Sequence, residues 1–446
     1  MNLIIKAKYI ADIDRVIEDG LIVIEGDTII DIGPRDDIQR RYSTSGYDVI
    51  DASDKLVIPG LINSHTHISM TLLRGYADDI PLQEWLNKWI WPYEAKMNER
   101  DIELGAMLGA IESIMSGVTT VCTMYHYHPE HNEASACLRI GLRCILGIAM
   151  FSWDEEGSIK NVLDGLNRWH NRGDGLIKIS ISPHATYTVS PDLYIRAEEI
   201  RREASTKFGE EITITSHVLE DWNEAKLIRE KFAIDLPSNS VMKYLESLGV
   251  LSKNFIAAHA IYMDDTDFIV AERNGIGLVH NPVANLKLGM GIANLPRMLK
   301  EGLRVGLGTD GPSSNNTLDM FETMKYTSLI HKGVYRDPSI VPALEAFRMA
   351  TVNGGKLFNI NIGRLRPGFK ADLVITSIDN PILTPIYNIY SHLVYAMNRL
   401  CVDTVIINGR IIYEDGAFMN INIKELLYRV RKRAFELRDE VGGGNA

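Results

Sequence analysis

Twelve histidines are spread through this 446-residue chain, and half of them stand in one kind of place. His65, His67, His184, His217, His259 and His280 each fall at or just beyond the C-terminal end of a short apolar run that reads as a β-strand. Asp310 ends a further run in the same way. Chance would scatter imidazoles over helices and loops. Imidazole with carboxylate is the donor set that suits zinc and neighbouring transition metals, and an incomplete protein shell leaves room for water. A divalent ion brings such a water to ionise near neutral pH, so a nucleophile is available without serine or cysteine. In His65-Thr66-His67 the two imidazoles are two residues apart on a strand and point to one face. That pair alone is weak evidence. With His217 and Asp310 at matching strand ends it becomes a candidate ion site.

Glu220 lies three residues after His217, in HVLE, where a carboxylate can take a proton from the attacking water and pass it to a leaving group. The plainer alternative is an acidic residue that opens a loop with Asp221. His259, ending FIAAH, either orients the attacked group or is a hydrogen-bonded core histidine. His280, in VHNPVANLKLG, stays open between substrate contact and loop structure. His126, His128 and His131 read as a solvated loop. Trp85, Trp89, Trp91 and Tyr93 follow the HxH loop and are either helix packing or a pocket wall. GLGTDG (306–311) matches GxGxxG, but no acidic residue follows at the dinucleotide spacing, so it reads as a strand delivering Asp310. Neither a GKS/T phosphate loop nor the HxE…PCxxC zinc signature is present.

The elements that must position these groups are eight apolar runs: 57–65, 118–125, 143–150, 177–182, 212–217, 255–259, 275–280 and 304–310. Most are nearly continuously apolar, as strands buried on both faces are, and helical stretches separate them. SPDLYIRAEEIRREAS (190–205) is one such helix, with Ser190 as its N-cap and Pro191 in its first position. Eight strands over about 250 residues define an α/β fold of the (β/α)₈ TIM-barrel type, whose active sites form at the C-terminal ends of the strands. Short alternating strands flank this region on both sides, with Asn408-Gly409 as a hairpin turn. Neither flank suffices for a core of its own. The expected division is a barrel over 58–361 and a small composite β-sandwich domain from 1–57 and 362–446, which carries the charged C-terminal helix (421–440).

Bulk properties narrow the partners. A net charge of −11 argues against nucleic acid or an anionic membrane. Cysteines 122, 137, 144 and 401 form neither a disulfide framework nor a zinc–thiolate motif. Lys6, Lys8, Asp12 and Asp14 interrupt the N-terminal segment where a signal peptide needs an apolar stretch, and no run approaches the roughly 18 apolar residues of a membrane span. The cytoplasm is the expected compartment.

Taken together, PGLINSHTHISMTLLRGYADDIPLQEWL (59–86), SPHATY (182–187), SHVLE (216–220), AAHAIY (257–262), VHNPVANLKLGMGIANL (279–295), LGTDGPSSNNTLDMF (307–321) and RLRPGFKADLVI (364–375) resemble the amidohydrolase superfamily. Within it they resemble the S-adenosylhomocysteine/5′-methylthioadenosine deaminase branch, related to the triazine chlorohydrolases. The resemblance implies His65, His67, His217 and Asp310 as metal ligands. It implies Glu220 and His259 as the proton-handling pair, with Asp310 also accepting a proton from water. Glu94, in WPYE, matches a ribose contact; His184 and Ser314 match further substrate contacts, with Trp91 and His280 as additional candidates. Dinuclear relatives carry a carboxylated lysine at the end of strand four, where this chain has His184, so one divalent ion is expected, Zn²⁺ first and Fe²⁺ as the alternative. Relatives also suggest a homo-oligomer. One departure concerns the substrate: arginines that hold an amino-acid carboxylate in some relatives correspond to Ile148 and Lys160, and Arg143 belongs to a buried strand. The expected reaction is hydrolytic deamination of an adenosine-like small molecule. The alternatives are a chlorohydrolase, a deaminase of guanine, pterin or triazine rings, and a non-catalytic scaffold; the last is disfavoured because every ligand position is filled.

Overall fold

A computed structural model describes residues 2–419 and 421–442. Eight parallel strands hydrogen-bond in chain order: Leu61–Thr66, Val118–Tyr125, Arg143–Met150, Ile177–Pro183, Ile214–Val218, Phe255–His259, Gly277–His280 and Arg304–Leu307. Every residue of the second and third is buried, which is what their unbroken apolar runs require of strands covered by side chains within and helices without. Helices fill each crossover. Pro191–Phe208 starts as its sequence implies, with Ser190 Oγ accepting from Leu193 N at 3.2 Å, and stops at Gly209 in the left-handed conformation.

Between the eighth strand and the first, side chains complete the closure. Asn63 Nδ2 donates to Thr309 Oγ1 at 2.7 Å and Thr309 N donates back to Asn63 Oδ1 at 3.0 Å. One residue further on, Asp310 N donates to His65 O at 3.0 Å and Thr66 Oγ1 donates to Asp310 O at 2.9 Å. This seam lies beside the groups of interest.

The chain ends build the second sheet. Asn2–Ala11 pairs antiparallel with Val16–Glu25 and parallel with Asp48–Pro59; the latter pairs antiparallel with Leu373–Ser377, which continues to Val402–Ile407 and Arg410–Glu414. Hydrogen bonding makes it one continuous mixed sheet, and its two halves share a core that includes Leu3, Ile5, Ile22, Val57, Leu373 and Ile406. Asn408 and Gly409 turn the hairpin with φ of 54° and 72°, as a tight two-residue turn demands. Arg143, buried on the third barrel strand, donates through Nε and a terminal nitrogen to Asp372 at 2.6 and 3.0 Å and to Asn408 Oδ1 at 2.9 Å, so one guanidinium joins barrel to sheet. The final helix, Ile423–Val441, lies against the barrel helix Glu99–Met115, where Arg433 grips Asp101 at 2.8 and 3.0 Å.

Candidate metal centre

At the C-terminal rim of the barrel, ligand atoms of His65, His217, His259 and Asp310 all lie within 4.8 Å of one another, and all four residues are buried. His67 joins them: its Nε2 is 3.1 Å from Asp310 Oδ1 and 3.3 Å from His217 Nε2. His259 thus joins the expected His65, His67, His217 and Asp310 in the cluster.

The outer nitrogens show what this cluster suits. His67 Nδ1 lies 2.6 Å from Met124 O and His217 Nδ1 lies 2.6 Å from His184 O. A carbonyl can only accept, so both Nδ1 atoms carry protons, and in the neutral rings both Nε2 atoms present lone pairs. Two lone pairs 3.3 Å apart beside a carboxylate repel unless a cation stands between them. Two nitrogens each about 2.05 Å from one tetrahedral ion would be about 3.3 Å apart. His65 Nε2 is likewise buried without a hydrogen-bond partner. The donors therefore fit a divalent ion.

Charge states follow from burial and from Asp310. Burial pushes His65 down to about 4 and His184 to about 3, and holds His217 well below the usual imidazole range. Burial opposes a charge on His67 too, but the adjacent Asp310 carboxylate overrides it and lifts that ring to about 9. Asp310 itself, despite burial, is held well below the carboxylate range by His65 and His67. A cation here takes the place of the proton that Asp310 otherwise keeps on His67.

The backbone at this rim is strained. Leu219, His259 and Asp310 adopt left-handed φ of 55°, 73° and 61°, at a cost of about 1–3 kcal/mol each for non-glycine residues. Buried polar groups hold these turns. Glu224 accepts from Leu219 N at 2.8 Å, Glu220 N at 2.9 Å and Thr186 Oγ1 at 2.6 Å. Burial raises Glu224 to about 7 and raises Glu220 as well. Asn285 Oδ1 lies 2.9 Å from His259 Nδ1, which leaves His259 Nε2 free, buried, and 3.5 Å from Glu220 Oε1. Ser314 Oγ donates to Asp310 Oδ2 at 2.6 Å.

A cavity opens over the cluster, bounded in part by Trp85, Trp91, Glu94, His184, Glu220 and Ser314. Glu94 sits at its outer end, with an oxygen 3.6 Å from His126 Nε2. His184 packs its ring 4.9 Å from His217. His280 does not reach this cavity; it turns to His331, with the two Nε2 atoms 3.4 Å apart in the interior. The aromatic run divides: Trp85 and Trp91 face the cavity, while Tyr93 is buried with its hydroxyl on Leu72 O and Ala434 O, both at 3.2 Å. The histidine loop divides as well. His126 lines the cavity and stacks on Phe151, whereas His131 binds Glu103 at 2.7 Å, so a purely solvated loop is the wrong description of His126. Sequence reasoning missed Phe151, Asn285 and Glu224. Asn285 lies within the NPVANLKLG stretch, and Phe151 directly follows the third strand, which are the positional signals available for them.

A parallel barrel that gathers histidines and an aspartate fit to hold an ion at this rim is the framework of a metal-dependent hydrolase. The chain belongs to the amidohydrolase family, whose sequence model matches residues 56–412. It is 36% identical over 440 residues to a 5-methylthioadenosine/S-adenosylhomocysteine deaminase of Dictyoglomus thermophilum, covering 98% of this chain and 99% of that one. A 5′-deoxyadenosine deaminase of Methanocaldococcus jannaschii is 39% identical over 421 residues, covering 93% and 96%. Among solved structures, a zinc-bound adenosine deaminase from Xanthomonas campestris superposes with a TM-score of 0.90 at 27% identity, covering 98% and 99%.

Proposed function

We propose that this protein is a hydrolytic deaminase of adenosine-type nucleosides, which releases ammonia and leaves the inosine analogue. The observation that carries this reading is a buried carboxyl and a buried imidazole, Glu220 and His259, 3.5 Å apart beside the ion ligands. An amine needs protonation to leave, chloride does not, and this pair is built to move a proton. Full-length relatives named as deaminases of such nucleosides support the same reaction.

We assign His65, His67, His217 and Asp310 to one divalent ion, zinc first and Fe²⁺ as the alternative, with His259 turned toward the attacked group. When bound, the ion supplies Lewis acidity that lowers the pKa of a water toward 7. Asp310, kept ionised by its histidines, would accept a proton from the attacking water, and Ser314 steadies its second oxygen. Glu220 holds a proton more readily than an exposed carboxyl does and delivers it to the departing nitrogen. His259, its ring fixed by the contact of Nδ1 with Asn285 Oδ1, turns Nε2 toward the oxygen that forms on the ring carbon. The carbon–nitrogen bond breaks and a carbon–oxygen bond forms; one hydrogen of the water leaves with the amino group as ammonia, and the other ends on the ring nitrogen N1 of the inosine-type product. Glu94 accepts from the ribose hydroxyls at the cavity's outer end. The reading carries with it a small-molecule substrate, a cytosolic compartment and a homo-oligomer.

The direct test is ammonia release by zinc-loaded protein given adenosine, 5′-methylthioadenosine and S-adenosylhomocysteine, with guanine and a chlorotriazine as controls. Turnover of the nucleosides is expected. Turnover of the controls alone would reject the adenosine assignment.

A further inference from the structure

Beyond Glu94 the cavity widens into an outer chamber of about 970 Å³, and Trp91, Glu94, Tyr125, His126, Phe151 and Tyr187 line both spaces. Rings lead from the ion ligands into it in an unbroken series. His217 and His184 are 4.9 Å apart, His184 and Phe151 4.8 Å, Phe151 and Trp153 4.2 Å in a near-parallel stack, and Trp153 and Trp91 6.1 Å. Trp153 is 61% exposed, so packing within the fold does not account for an indole held there.

Among the described residues the chamber carries charges of both signs but no arginine. Its acids are Glu94, Asp154 and Glu230; its one lysine is Lys231, next to Glu230. The two positions that correspond to carboxylate-binding arginines in some relatives lie elsewhere. Ile148 packs against Gly165 of the helix Glu155–Arg168, Lys160 is exposed on that helix outside the lining, and Arg143 is engaged with Asp372. The carboxylate of an amino-acid tail entering here meets aromatic faces and finds no guanidinium to fork it. A thioether or alkyl group meets ring surfaces that it can cover.

We propose that Phe151, Trp153 and Trp91 form a subsite for an uncharged, apolar 5′ substituent, so that nucleosides bearing one are preferred over those bearing an amino-acid tail. This rests on the adenosine-type deaminase reading: with the reacting ring at the ion ligands and the ribose at Glu94, the 5′ position faces the chamber.

The experiment compares kcat/KM for adenosine, 5′-methylthioadenosine and S-adenosylhomocysteine in the zinc-loaded parent, Trp153→Ala and Trp153→Arg. The parent is expected to favour 5′-methylthioadenosine over S-adenosylhomocysteine at least tenfold. Trp153→Ala is expected to cost 5′-methylthioadenosine at least fivefold more than it costs adenosine, mainly through KM. Trp153→Arg, which places a guanidinium in the chamber, is expected to narrow the gap in favour of S-adenosylhomocysteine. A parent that handles S-adenosylhomocysteine as well as or better than 5′-methylthioadenosine overturns the subsite, as does an equal loss on all substrates in Trp153→Ala; the deaminase reading survives both results. Silence on all three nucleosides brings down that reading and the subsite with it.

Discussion

Glu220 has its backbone nitrogen held by Glu224 and its carboxyl 3.5 Å from His259, so its position depends on a second buried acid that does not line the cavity. Exchanging Glu220 for glutamine keeps the shape and removes the transferable proton. Glu220→Gln is expected to lower kcat about 10²–10⁴-fold, with KM within a few-fold and metal content unchanged. Steady-state kinetics beside metal analysis checks this, and retained kcat would remove Glu220 from proton transfer. Residues of this kind differ in how far sequence reveals them. His65, His67, His217, Glu220, His259 and Asp310 were legible because strand-end spacing is a pattern. Phe151 and Trp153 were not, because an aromatic after a strand packs against the fold as often as it faces a ligand. Asn285 was hidden because its role is a single contact, from helix Pro282–Lys287 to a histidine on another strand.

At the level of elements, the strand ends are positioned by close backbone approach as much as by hydrogen bonds. A Cβ on Gly308 would stand 2.3 Å from Asn281 Oδ1 and 2.7 Å from His65 O. The carbonyl is backbone, in the seam beside a proposed ion ligand, and cannot swing aside. Gly308→Ala is therefore expected to cost about 1–3 kcal/mol of stability and to weaken zinc affinity, read by thermal denaturation and competition with a chelating dye. The opposite rim is held by charge: Glu210 contacts Lys178, His170 and Asn171, and these partners outweigh its partial burial and lower its pKa from 4.5 to about 2. A carboxylate whose folded pKa is depressed stabilises the fold above its unfolded value, and that stability is lost as pH falls through the folded one. The gap in thermal midpoint between the parent and Glu210→Gln is expected to be full at pH 7 and to shrink between about pH 4.5 and pH 2. A gap that widens on acidification would contradict the assignment. All eight barrel strands could be read from their apolar runs, because burial on both faces leaves no other composition. Their ends were less legible. The fifth runs Ile214–Val218 where 212–217 was expected, since its neighbours' register and not its own hydropathy sets where pairing begins. The π-helical turns at Trp85–Ile90 and Met349–Asn353 left no sequence signal that was read.

For the molecule as a whole, the Arg143–Asp372–Asn408 junction ties the barrel to the sheet built by the chain's two ends, with both charged side chains 1% exposed. Removing one partner strands the other's charge in the interior. Arg143→Ala is expected to destabilise by about 3–5 kcal/mol, seen as a lower urea midpoint, whereas a double variant that also neutralises Asp372 recovers part of the loss. An additive double variant would show the pair to be uncoupled.

The seam between the first and eighth barrel strands carries a consequence for when the protein becomes an enzyme. Thr66 and Asp310, joined across it, are 244 residues apart in the chain. Ligands on either side of that seam cannot share an ion until the ribosome has made both and the ring of strands has closed around them. Capture of an ion by the whole proposed ligand set is thus reserved for the finished barrel. A chain that stops short of Asp310 lacks the carboxylate of the proposed ligand set and is expected to hold an ion less tightly than the finished barrel does.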